Sequence, residues 1–101
     1  MNISILMGRG IEGTGNTKYA VELQEHIESI GSTCNVYANK DKKWGREKSH
    51  NNHIQLISYI DNERFIIDEC LKSDLIVVLS VPAKNFEKKS KDSFMNILKE
   101  V

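Results

Sequence analysis

Proline is almost missing from this chain: Pro82 is the only one, and most of the six glycines crowd into a single stretch near the N-terminus. Such a composition excludes a linker, a collagen-like rod or a low-complexity segment. Cysteine is also scarce. Cys34 and Cys70 stand far apart with no CxxC spacing, so neither a disulfide framework nor a Cys-based zinc site is encoded. The expectation is two reduced thiols in a cytoplasmic protein. There is no surplus of either charge, because 14 basic residues balance 14 acidic ones. A field that attracts polyanions to the whole molecule is therefore excluded, and any such attraction must come from a local patch. No apolar run is long enough to span a bilayer, and no basic segment precedes the short apolar start, so neither a membrane span nor a signal peptide is expected.

What is present is the material of one small domain. The 101 residues are 40% hydrophobic, enough for a core without metals or cross-links. Ile3–Met7 reads as a first strand. A helix is predicted from about Lys18 to Ile30, with Ala20, Leu23, Ile27 and Ile30 on one face, Asn16 or Thr17 as cap and Gly31 as terminator. Cys34–Ala38 is a second strand and the polar segment Asn39–His53 a loop. Ile54–Tyr59 is a third strand, of undetermined direction. A second helix, capped by Asp61 or Asn62, runs to about Lys72 with Ile66, Ile67, Cys70 and Leu71 inward. Leu75–Val81 is apolar throughout, the pattern of a central strand covered on both faces, and Pro82 ends it. A last helix, Lys91–Val101, carries Phe94, Ile97, Leu98 and Val101 on one side. The order βαββαβα predicts an open, mostly parallel α/β sheet of about four strands over residues 1–101, with its working crevice at the carboxyl ends of the strands.

Three segments could carry chemistry. Gly8, Arg9, Gly10 and Gly13 form a GxGxxG after a strand, with Gly15 following before the helix. Glycines there allow close backbone approach to a ligand, and the helix start offers free N–H groups to an anion. The extra residues Thr14–Thr17 and the absence of an acid at the end of the second strand fit a dinucleotide poorly. A tight structural turn and a loop facing sugar, phosphate or acceptor remain alongside it. The second segment holds Lys40, Lys42, Lys43, Trp44, Arg46 and Lys48, whose five cations exceed Asp41 and Glu47 by three. Cations on a loop suit phosphates and Trp44 suits stacking on a base; a merely solvated loop is the plain alternative. His50 and His53 follow, without a nearby carboxylate or thiolate to complete a metal site, so phosphate contact or simple exposure is expected. Third, Lys84, Lys88, Lys89 and Lys91 outnumber Glu87 ahead of the last helix. No catalytic group, metal or cofactor is indicated.

These residues resemble the N-terminal part of the T-even phage DNA α-glucosyltransferases. The likeness runs through the opening strand with Met7, Arg9-Gly10, Glu12-Gly13, Gly15 and Thr17-Lys18. It continues through Val36-Tyr37-Ala38, Lys40-Asp41-Lys42, Arg46, Ser49-His50 and Ser80-Val81-Pro82-Ala83. The resemblance implies a Rossmann-like fold, half of the N-terminal domain of a two-domain GT-B enzyme. That family moves glucose from UDP-glucose to 5-hydroxymethylcytosine in DNA with retention, binding DNA largely through its N-terminal domain. The chain departs where the family has Ser-His-Asp-His, reading Ser49-His50-Asn51-Asn52-His53. It also ends before the family's catalytic segment and donor domain. The expectation is therefore an acceptor-side fragment, inactive alone, in a phage-infected cell's cytoplasm. Its expected partners are double-stranded DNA, a donor-domain chain and a second copy of itself. The competing expectation is a stand-alone binding module acting on DNA or on a host defence protein.

Overall fold

The protein is described from a computed structural model covering residues 1–8, 15–40, 54–82 and 88–101, with residues 15–17 described in backbone only. The elements in chain order are β1 (Asn2–Met7), α1 (Gly15–Ser29), β2 (Thr33–Asn39), β3 (Ile54–Ile57), α2 (Glu63–Leu71), β4 (Leu75–Ser80) and α3 (Lys88–Glu100). The four strands form one sheet in the order β3-β2-β1-β4, and each pairing is parallel, β3 included. The fold is a Rossmann-like α/β sheet.

Alternation along β1 divides the core into two layers. Ile3, Ile5 and Met7 point to the α1 side, where they join Ala20, Ile27, Cys34, Val36, Ala38 and Ile54. Leu6 points to the other side and joins Tyr37, Tyr59, Ile66, Ile67, Cys70, Phe94 and Ile97 from β2, the turn before α2, and both remaining helices. Polar ties add direction to this packing. Gln24 Nε2 donates to the Cys34 carbonyl at 3.0 Å, pinning α1 to β2. Tyr59 Oη donates to the Tyr37 carbonyl at 2.8 Å, and burial pushes its phenol far above the ordinary tyrosine range.

Several expectations need correction. β1, not β4, is the central strand; β4 lies at an edge and its residues are only half covered. An apolar sequence reports what a strand's two faces prefer, not how many strands lie beside it. The first helix begins at Gly15, so Asn16 and Thr17 lie inside it rather than capping it. Gly31 does end it, at φ 88°, with Ser32 N–H bonded to the Ile27 carbonyl and Gly31 N–H to that of Glu28. This left-handed turn swings Ile30 off the helical face and into solvent. Asn62 stands at the N-cap of α2, but its side chain makes no cap bond and donates to the Ser58 carbonyl at 2.9 Å. β3 stops at Ile57, leaving Tyr59 in the turn. Leu71 is exposed at the end of α2, and Val101, beyond α3, is exposed as well. Phe94 and Ile97 are buried against the chain's own sheet, so α3 has no apolar face to offer a second copy.

Both cysteines are free, buried and on opposite sides of the sheet, which no disulfide could bridge. Burial, with a smaller effect of Glu28 on Cys34 and of Glu69 on Cys70, raises each thiol from 9.0 to about 11. Because the folded value lies above the unfolded one, this stabilisation is complete below pH 9.0 and disappears as pH rises towards about 11. The thermal midpoint should hold steady to about pH 9 and fall beyond it, and both thiols should resist a disulfide reagent until the chain unfolds. A melting series against pH, with thiol titration in native and denaturing buffer, checks both. Rapid native labelling of either cysteine would contradict the burial.

Candidate functional site at the carboxyl edge of the sheet

Because all strands are parallel, their carboxyl ends and the starts of the following helices share one edge. There β1 runs into Gly8, β2 into Asn39 and Lys40, and β4 into Ser80, Val81 and Pro82. Gly8 N–H donates to the Ser80 carbonyl at 2.9 Å. A Cβ at Gly8 would lie 2.7 Å from Pro82 Cδ and 2.9 Å from both Pro82 N and the Ser80 carbonyl oxygen. Glycine is therefore required by close approach of two chain segments. This fixes the root of the glycine-rich loop against the segment after β4.

Asn39 organises the rest of the edge. Its side chain is wholly buried. Its Oδ1 accepts from Tyr59 N–H at 3.1 Å, while its Nδ2 donates to Ser90 Oγ at 2.8 Å and lies 3.4 Å from the Gly8 carbonyl oxygen. One amide thus touches the end of β1, the turn before α2 and the first turn of α3. A second polar set continues from it. Ser93 Oγ lies 3.0 Å from the Tyr59 carbonyl oxygen and 2.9 Å from Glu63 Oε2, and Asn96 Nδ2 donates to Glu63 Oε1. Glu63 joins α2 to α3 through these bonds. Next to Asn39, the Lys40 backbone N–H donates to the Ile57 carbonyl at 2.9 Å, which leaves the Lys40 side chain exposed at the rim.

Of the residues singled out by sequence, Gly8 and Lys40 lie at this edge, and Gly15 is the first residue of α1. Arg9, Gly10 and Gly13, and likewise Lys42, Lys43, Trp44, Arg46, Lys48, His50 and His53, lie outside the described residues. Lys88 and Lys89 are exposed in the first turn of α3, beside Ser90. Neither α1 nor α3 has an acid in its first turn, so both helix starts keep their positive character. Among the described residues no group of His, Cys, Asp and Glu could hold a metal ion. Sequence reading missed Asn39, Ser90 and Ser93. The available signals were an amide ending an otherwise apolar strand and two serines three apart on the buried side of a helix.

Asn39→Ala removes both ends of the amide and strands the buried Tyr59 N–H. The variant should lose about 1–3 kcal/mol of stability, read as a lower urea midpoint at unchanged slope. Gly8→Ala should also destabilise, because the contacts it meets include backbone atoms that cannot rotate away. Wild-type midpoints for both would show that the edge is not held in this way.

No known family profile matches the chain. Among curated proteins it is 26% identical over 106 residues to the DNA alpha-glucosyltransferase of Enterobacteria phage T4, a match covering all of this chain and 26% of that enzyme. Solved structures agree. An alpha-glucosyltransferase in complex with UDP and a 13-mer DNA containing a central A:G mismatch superposes with a TM-score of 0.88 at 23% identity, over 100% of this chain and 27% of that one. Another, in complex with UDP, gives 0.86 at 25% identity over 98% and 25%. The chain spans about a quarter of the length of the relatives it matches, and over that quarter it is similar throughout to a phage DNA alpha-glucosyltransferase.

Proposed function

We propose that this chain supplies the DNA-facing side of a phage DNA glucosyltransferase and does not transfer glucose by itself. The observation that carries this reading is the end-to-end similarity to DNA alpha-glucosyltransferase, confined to a quarter of that enzyme. Solved relatives of the same fold hold UDP and DNA together. The carboxyl edge supports an anionic ligand on physical grounds. Two helix starts without acids, Lys40, and the Lys88-Lys89 pair concentrate positive potential there, in a chain whose net charge is zero. The basic segment from Lys40 to His53 leaves β2 at the same edge, and its Lys42, Lys43, Arg46 and Lys48 would lie along the phosphates with Trp44, His50 and His53 against sugar or base. The glycine segment Gly8–Gly15, including Arg9, would face the acceptor. The donor sugar nucleotide would be held by a separate donor-domain polypeptide, in the cytoplasm of the infected host. Transfer requires both substrates fixed in one geometry, which this portion alone does not supply.

Purified chain incubated with UDP-glucose and hydroxymethylated DNA should give no glucosylated product; measurable turnover would overturn the inactive-alone reading. Duplex binding should be present at low salt and weaken as salt rises. Replacing Lys42, Lys43 and Arg46 together by Ala should lower affinity on any sequence and flatten the log–log salt slope by up to about 0.9 per lost phosphate contact. Trp44→Ala should weaken binding with little change in slope, because stacking releases no counterions. Absence of DNA binding by the wild type at low salt would leave the basic segment merely solvated and favour a host-protein partner.

A further inference from the structure

The edge of the sheet at β4 lacks every device that normally closes a strand edge. Among the described residues β4 pairs with β1 alone, so its other side carries backbone N–H and C=O groups with no neighbouring strand. Natural edges are blunted by charged residues, proline, shortness or a bulge. β4 contains no charge and no proline, and five of its six residues are apolar. Its one irregularity lies opposite Leu6 and Met7, at the carboxyl end, and the pairing from Leu75 to Val78 is regular. Leu75 is 49% exposed, Val78 42% and Val81 56%, which draws an apolar line along the open side. The opposite edge is different: β3 has only four residues, and Gln55 is exposed in it.

We infer that β4 pairs antiparallel with β4 of a second copy of this chain, joining two four-stranded sheets into one about a twofold axis perpendicular to the sheet. The strand's own sequence selects this occupant. With Val77 facing Val77 across the axis, Ile76 meets Val78 and Leu75 meets Leu79, so every apolar side chain on each face lies opposite another. Asp74, the nearest charge, falls opposite the uncharged Ser80 instead of a second carboxylate. Shifting the axis by one residue in either direction breaks this match, setting Ile76 against Ser80 or Asp74 against Val78. Long-range repulsion does not oppose the pairing, because the chain has zero net charge. The axis also places the two α1 helices on the same side of the joined sheet, so half-buried Val77 and Leu79 gain apolar neighbours there. The two carboxyl edges point in opposite directions, and both stay open. The inference stands apart from the DNA reading.

Sedimentation velocity of the full chain from low to high micromolar concentration tests it, with hydrogen exchange followed over the same range. The expected result is twice the chain mass at high concentration, with protection of the Leu75–Leu79 amides that rises with concentration. Val78→Lys and, separately, Leu75→Lys should each give a monomer that still melts cooperatively, while Met95→Lys, on the exposed side of α3, should leave the dimer intact. A wild type that stays monomeric at high micromolar concentration overturns the inference. So does a dimer that survives in both folded lysine variants, or one whose β4 amides exchange at a rate independent of concentration. Should either lysine variant fail to fold, the wild-type exchange measurement decides alone.

Discussion

The buried amide of Asn39 is the constraint on which the geometry of the carboxyl edge depends. Three segments far apart in sequence must end within reach of one side chain: Gly8 after β1, Tyr59 before α2 and Ser90 at the start of α3. Only an amide supplies a donor and an acceptor at once without a charge. An aspartate would lose the donor to Ser90 and bring an ionised group into a dry site, while an aliphatic residue would leave the Tyr59 N–H without a partner. The positions of Lys40 and of Lys88 and Lys89 follow from this anchoring, since each is adjacent or nearly adjacent to a residue it holds.

Much of the architecture could be read from residue patterns, and the exceptions share a cause. The spacing of Ala20, Leu23 and Ile27 located α1, and Gly31 marked its end, because both signals are local. Ile30 and Leu71 continue the same spacing yet are exposed; each sits where the chain is leaving its helix, and periodicity carries no information about that departure. β4 was misplaced because its apolar residues describe faces and not neighbours. Asn39 was treated as the beginning of a loop, since its partners come from segments up to 51 positions away that only the folded chain brings together. The glycine run was legible as a close-approach motif, but the approach observed at Gly8 is to Pro82 and Ser80 of the same chain.

Charge distribution explains how a chain of zero net charge can present one basic rim. Its carboxylates are spent elsewhere. Glu22 and Asp68 lie beside Lys18 and Arg64 along helix faces, Glu63 is occupied by Ser93 and Asn96, and Asp74 accepts from the Asn2 backbone at the opposite end of the sheet. The exposed pairs contribute little stability, about 0–1 kcal/mol each. Their effect on the rim is to draw negative charge away from it.

The central position of β1 has a consequence for how the chain comes off the ribosome. The first strand made is the one that needs two neighbours. β2 and α1 follow soon after and can cover one side and one face early, yet the other side waits for β4, whose Leu75 lies opposite Ile3. Until then the Leu6 face has neither Phe94 nor Ile97 over it. Pairings this distant in sequence make folding slow and expose apolar surface during the wait. The nascent N-terminal half is thus the stretch most in need of a chaperone, and the last third of the sequence releases it.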